Sequence, residues 1–300
     1  AIAGAKPSST AAHSSESMTV AFERELSIEA YPFLRSHVLK GRAVLPVAII
    51  IEWLAHGAMH DNPGMAFHGF DKLEIFKGVV IRPGDRVPLQ IVAGASQAEG
   101  VEERVLVQLR SGETLHAQAY IVLTPTLPAA EATLVVENHE GATVIADGFY
   151  NDGRLFHGPD FQAIEEVATA SDSGLVAAVK CSPPPATWTR QPLRSAWLAD
   201  PLALDAAFQL MILWCQEFCG VGSLPASISK YRQHTRKFAT AGVKGCLQVE
   251  QRSEHSAAAT IEFTDEAGGL IARMEGYRCV MDSSLAEAFK QNQLAEQLQS

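Results

Sequence analysis

This 300-residue sequence is short of the features that mark the commoner enzyme and binding classes. It has no P-loop, no GxGxxG fingerprint and no GxSxG elbow, so nucleotide, dinucleotide and serine-hydrolase chemistry have no support. Cysteine is scarce: Cys181, Cys215, Cys219, Cys246 and Cys279 are an odd five with no CxxC pair. That excludes a disulfide framework and implies free thiols in a reducing, cytoplasmic setting. Cys215 and Cys219 share a helix face, but small core thiols explain them better than half a metal site does. Positive charge is the minority, 24 basic against 34 acidic residues for a net −10. A nucleic acid or an anionic membrane as main partner would demand the opposite balance. Apolar runs fall well short of the roughly 20 residues that a spanning helix needs. No signal peptide is visible. The chain opens on Ala1 with linker-like ends, so a domain cut from a longer polypeptide is expected.

What is present is a large apolar fraction, 47%, enough for a sizeable core. Residues 1–17 are small and polar and read as a flexible lead-in. A first half over 18–125 carries an apolar helix from about 45 to 60, stopped by Asp61-Asn62-Pro63-Gly64. Extended segments follow near 70–82, 86–94, 101–110 and 114–123. A Pro/Ala-rich connection occupies 126–141. The second half, 142–283, repeats the theme: strands at 161–170 and 174–181, a loop through Ser182–Pro192, a helix over 200–218, then strands near 225–235, 242–251, 256–265 and 268–280. Residues 284–300 read as a helical exit linker.

The two helices resemble each other in being proline-led, at Pro46 and Pro201, and oily nearly all round, which implies burial on every side. Each is followed by several strands. The expected class is α+β, a double hot dog: two tandem units, each a long buried helix wrapped by an antiparallel sheet.

Polar residues are informative on such helices. Between Pro201 and Cys215 only Asp205 and Gln209 are polar. They sit one turn apart on one face and can hydrogen-bond. A buried carboxylate is costly unless paired, so its pKa rises, and a neutral oriented carboxyl suits a general acid. A loop-anchoring Asp is the alternative, about even on residue type alone. His37 lies before the first helix, with Gly41 between them. Near helix N-terminal amides an imidazole can take a proton while the amides hold an oxyanion; spacing alone favours a plain loop histidine. Aligning Pro46 with Pro201 places Ile50 against Asp205 and Pro192 against His37. The halves would then contribute a base and an acid to one composite site. His157-Gly158-Pro159 is a turn before an amphipathic strand, and on bare sequence His157 is an ordinary loop residue.

In order, these stretches resemble the dehydratase domains of polyketide synthases and polyunsaturated fatty acid synthases. His37, Gly41 and Pro46 match the HxxxGxxxxP motif, and Asp205 with Gln209 matches DxxxQ/H. Leu155–Gln162, LFHGPDFQ, resembles the YGPxF motif in the form most like the polyunsaturated fatty acid synthases. Gly222–His234 is similar to a further family strand. The match spans about 18–283. The resemblance implies that His37 removes the α-proton of a 3-hydroxyacyl thioester, and that Asp205, held by Gln209, protonates the departing hydroxyl. It implies the backbone amide of Gly41 as the group polarising the thioester carbonyl. It implies no metal and no cofactor beyond the phosphopantetheine arm of an acyl carrier protein. The partners implied are that carrier and the other domains of one synthase, with a homodimer possible. His157 stands where the family usually has Tyr, which puts the details of acid assistance in question.

Competing features have blander readings. His56 and His60 form HxxxH, but in a last helical turn and without an HExxH glutamate. Trp53, Met59, Phe208, Met211 and Trp214 read as core or tunnel wall. Lys230, Arg232, Arg236 and Lys237 form a basic cluster that could dock an acidic carrier, or could be a solvated strand face. Rival functions are a non-catalytic acyl-binding scaffold of the same fold, and a double-bond isomerase or thioesterase.

Overall fold

The computed structural model describes residues 18–133, 143 and 145–295. The lead-in 1–17 and parts of the connection and the C-terminal segment lie outside the described residues. The first half contains β1 (Thr19–Leu26), β2 (Val38–Leu39), β3 (Arg42–Val44), α1 (Val47–Met59), β4 (Ala66–Ile75), β5 (Val80–Ile81), β6 (Val87–Ala93), β7 (Gln97–Glu99), β8 (Glu102–Ser111) and β9 (Thr114–Thr124). The second contains β10 (Ile164–Ser171), β11 (Gly174–Val179), α2 (Pro185–Trp188), α3 (Pro201–Cys219), β12 (Gly222–Gln233), β13 (Val243–Arg252), β14 (Ser256–Thr264), β15 (Leu270–Asp282) and α4 (Leu285–Lys290).

One antiparallel sheet runs β1-β6-β8-β9-β4-β12-β15-β14-β13-β11-β10. The halves meet where β4 pairs β12, each being the first long strand after its helix. Gly69 is required at that seam, because a Cβ there would stand 1.9 Å from the Tyr231 carbonyl oxygen. α1 and α3 pack against each other, with ten and fifteen buried residues respectively. This is the double hot dog that the sequence implied.

α3 is long and apolar enough to cross a membrane by composition, yet 78% of its apolar window is buried, as befits a core helix. Its start is fixed by Asp200, whose carboxylate caps the Ala203 amide at 3.0 Å and also accepts from the Ser182 N–H and hydroxyl. Pro201 follows in the first turn. In α1, by contrast, Pro46 is itself the cap residue. Aligning the helices by their prolines is therefore off by one, and the counterpart of Asp205 is Ile51, not Ile50. The reading survives the shift, since both isoleucines are buried and neither ionises.

Two loops carry structure that periodicity did not show. Pro32–Ser36 is a 3-10 turn, and Pro185–Trp188 a single helical turn inside the predicted loop. The C-terminal segment does not simply leave the fold. Phe289 is fully buried, 5.1 Å from Phe156, and residues 291–295 return to the turn at Gly41. The connection stays bound over its described part, through Glu131 and the Ala132 carbonyl on Arg273.

Candidate active site

The segment that carries His37 is held in place by a two-residue hairpin. β2 and β3 pair Leu39 with Arg42, leaving Lys40 and Gly41 as the turn. Both have left-handed backbones, φ +53° and +72°, as a tight primed turn demands. The hairpin folds Val44 back beside His37: the Val44 N–H donates to the His37 carbonyl at 2.9 Å, and His37 Nδ1 lies 2.8 Å from the Val44 oxygen. A carbonyl can only accept, so Nδ1 carries the hydrogen and Nε2 is left as a lone pair. The spacing from His37 to Gly41 thus sets a tautomer. The Gly41 amide itself donates to the Gln291 carbonyl at 2.9 Å. This corrects the expectation that it polarises a thioester carbonyl: the tail occupies it.

His157 comes from the other half and lies against His37 in an isolated antiparallel bridge, with ring centroids 5.4 Å apart. Gly158 makes the approach possible, since a Cβ there would sit 2.9 Å from the Ser36 Cα. Its N–H donates to the Ser36 carbonyl at 2.8 Å, and the Ser36 hydroxyl donates to Asp160 at 2.9 Å. Pro159 opens the short 3-10 turn through Phe161. The LFHGPDF stretch is therefore a clasp between the halves.

Asp205 faces the same point from α3. His157 Nε2 is 3.3 Å from its Oδ2, and Gln209 Nε2 donates to that oxygen at 2.7 Å. Gln209 is pinned in turn. It donates to the Phe161 carbonyl at 2.8 Å, and its Oε1 accepts from the Tyr150 hydroxyl at 2.6 Å. Sequence reading missed Tyr150, which lies in a turn and has no motif spacing to Gln209.

One ligating atom from each of His37, His157 and Asp205 lies within 4.8 Å of the others. A divalent cation would meet two imidazole nitrogens and one carboxylate there. Among the described residues no other His, Cys, Asp and Glu cluster of three converges in this way. His56 instead bonds Glu52 at 3.0 Å, while His60 is 55% exposed, so HxxxH does not converge. Glu52, which no sequence pattern singled out, is buried on α1 and accepts the amides of Leu198 and Ala199, tying down the entry to α3.

The walls are aromatic. The His37 ring lies 5.0 Å from Phe156 and 5.6 Å from Phe161, which stacks on Trp188 at 4.8 Å. Asp205 and His157 are each 2% exposed and His37 8%, so His37 is the member nearest solvent. Loss of water dominates the electrostatics. Burial lowers His37 to about 4 against its bond to Val44, and burial, with His37 beside it, holds His157 well below the ordinary value. Burial raises Asp205 to about 7, partly offset by Gln209. Between these limits the site holds a neutral imidazole with a free Nε2 and a protonated carboxyl.

The basic cluster divides. Lys230 pairs with Glu275 at 3.5 Å, and Arg232 is committed to Asp71 at 2.8 Å and to two carbonyls at the β4–β12 seam. Arg236 and Lys237 are exposed and, with Arg194, border a groove of 430 Å³. The five cysteines are free thiols; Cys215 faces Cys279 at 4.0 Å, both buried.

Comparison with known proteins adds to this geometry. A family model described as polyketide synthase dehydratase N-terminal domain matches residues 129–288, and one described as polyketide synthase dehydratase domain matches 9–111. A polyunsaturated fatty acid synthase subunit of Thraustochytrium sp. (strain ATCC 26185 / S-3) is 29% identical over 269 residues, covering 88% of this chain and 10% of that protein. The chain thus spans about a tenth of its relative's length. The dehydratase domain of the CurF module of curacin polyketide synthase superposes with a TM-score of 0.69 at 19% identity, covering 91% of this chain and 96% of that one. CurK dehydratase, in a His-to-Phe variant described as inactive, superposes at 0.67 and 19% identity over 93% and 96% of the two chains. Its Asp-to-Asn variant, also described as inactive, does so at 0.67 and 19% over 94% and 96%. At these identities the superpositions show the fold alone.

The raised carboxyl has a consequence for stability. A folded value above the unfolded one makes Asp205 costly as pH rises: nothing below about pH 4, and on the order of 4 kcal/mol once pH passes 7. Asp205→Asn keeps the shape without the charge. It should melt above the parent at pH 8.5, with the gap closing at pH 4.5; an equal gap at both pH values would contradict the buried neutral acid.

Proposed function

We propose that this chain, which belongs to the polyketide synthase dehydratase family, removes water from a 3-hydroxyacyl chain held as a thioester on an acyl carrier protein. The observation that carries the reading is the meeting of His37 and Asp205, from different halves, with opposite pKa shifts. Such a pair divides base and acid between two groups at one pH. His37 Nε2 takes the α-proton. The C–O bond breaks with its electrons on oxygen, which takes the proton of Asp205. Water and a 2-enoyl thioester leave, and the proton on His37 returns to the Asp205 carboxylate. Neither transfer needs a metal or a redox cofactor, and the only carrier group is the phosphopantetheine arm. The inactive His and Asp variants of CurK dehydratase involve the same two residue types.

The aromatic wall suits an acyl chain, and a non-catalytic acyl-binding scaffold would have no use for a dry carboxyl of this kind. On the hydro-lyase reading the chain works beside the other catalytic units of a multidomain synthase, in keeping with a relative about ten times its length. For the carrier, Arg194, Arg236 and Lys237 line the groove and make no ion pair among the described residues, in a chain of net −10. Carrier docking is assigned to these three; Lys230 and Arg232 are left out because their charges are already used.

Incubation with a 3-hydroxyacyl carrier protein should give a product 18 Da lighter by mass. Free acid would indicate a thioesterase, and unchanged mass with binding a scaffold. His37→Ala and Asp205→Asn should each lower turnover by at least about a hundredfold while the fold is kept. The kcat/KM profile should rise above pH 4 and fall above pH 7, as His37 gains its lone pair and Asp205 loses its proton. Arg236→Glu with Lys237→Glu should raise KM for the carrier-linked substrate roughly tenfold or more and leave a pantetheine thioester unaffected. Equal effects on both substrates would move docking elsewhere.

A further inference from the structure

The C-terminal segment reaches the site at two separate points. The first contact is made by backbone. The hairpin that aims His37 is built from strands of two and three residues, too short to hold their shape alone. At its tip the Gly41 N–H donates to the Gln291 carbonyl, and the Gly41 carbonyl accepts from the Ala295 N–H, both at 2.9 Å. The fit is close, since a Cβ on Gly41 would stand 3.3 Å from the Ala295 Cβ. The second contact is apolar. α4 lies against β12 at Gly222, where a Cβ would meet the Leu285 Cβ at 2.7 Å and the Phe289 ring at 3.1 Å. Phe289 is fully buried there, with its ring 5.1 Å from Phe156. Phe156 in turn stacks on His157 at 4.0 Å and meets the His37 ring edge to face at 5.0 Å. Backbone and wall thus lead from one segment to the same imidazoles.

We propose that Leu285–Ala295 is a positioning strap for His37: its hold on Gly41 fixes the hairpin that aims the imidazole, and Phe289 is the positioning residue that keeps Phe156 against both histidine rings. The inference deepens the dehydratase reading, on which the role of His37 as base rests, by naming what holds that base. The strap acts through the hairpin and through Phe156, not on the substrate. His37 keeps its hydrogen on Nδ1 because the Val44 carbonyl faces that nitrogen across the hairpin at 2.8 Å. A tip released from Gln291 and Ala295 lets the two short strands shift, and the bond to Val44 is the one that loosens. The hydrogen is then shared between Nδ1 and Nε2. An imidazole with its hydrogen on Nε2 cannot take a proton there. Proton transfer also tolerates little displacement, a shift of about 1 Å costing on the order of a hundredfold in rate. The strap therefore bears on turnover more than on binding.

The test uses the full chain and two variants. Ala295→Pro removes the N–H that binds Gly41, at an exposed position, and Phe289→Ala empties the place beside Phe156. Nitrogen NMR of the His37 ring near pH 7.5 should show the Nδ1–H tautomer alone in wild type and an added Nε2–H population in each variant. Each variant should lower kcat on 3-hydroxyacyl carrier protein roughly tenfold and leave KM within about twofold. Phe289→Met, which refills the space with an apolar side chain, should recover most of both. Phe289→Leu replaces the alanine variant if the latter does not fold. A merely structural role would lower Tm and leave the tautomer and kcat at wild-type values below melting. That result in either variant, or a raised KM with kcat kept, overturns the proposal. Absence of turnover in wild type would count against the dehydratase reading alone, and the tautomer comparison would still decide the strap.

Discussion

A carboxyl group with no counter-charge, held in a dry seam between two helices and one long sheet, is the constraint on which the site depends. Asp205 has a neutral amide and a neutral imidazole for company, and almost no water. It therefore keeps its proton into the neutral range. The same dryness keeps His37 uncharged. One physical cause, desolvation, thus leaves the imidazole neutral and the carboxyl protonated, where between about pH 4 and 6.5 a pair in water would hold the opposite states.

On the proposed dehydration, the arrangement also links the two proton transfers. When His37 gains a proton and Asp205 loses one, a cation and an anion form within 4.8 Å in place of two neutral groups. Their attraction is about 3–4 kcal/mol at an effective dielectric near 20. Either transfer alone would leave its counter-charge on the substrate, as an enolate or a protonated hydroxyl. The site favours the two occurring together, and the Val44 carbonyl, already bonded to the imidazole, stabilises the imidazolium as it appears.

Much of this was legible in the sequence, for identifiable reasons. Asp205 and Gln209 stood out because a polar pair one turn apart interrupts an otherwise apolar helix, and helical spacing alone puts them in contact. His37 was readable only through its motif, and the physical meaning of the motif differed from the expectation. Gly41 is there for a left-handed turn that folds Val44 onto the histidine, and its amide serves the C-terminal segment. Tyr150, Glu52 and the Ser36–Asp160 clasp could not be read. Each acts between segments 59 to 147 residues apart, and sequence periodicity carries no information on such pairings. The one-residue slip between Pro46 and Pro201 has the same origin: proline is tolerated both at the cap and in the first turn, so it marks a helix start only to within a residue.

The most direct measurement of the central claim is a site-resolved NMR titration of the intact chain, following the Asp205 carboxyl carbon and the His37 ring nitrogens. The account predicts that Asp205 titrates near pH 7 while His37 stays in the Nδ1–H neutral form down to about pH 4. An Asp205 that ionises near pH 4, or a His37 that charges near pH 6.5, would contradict it.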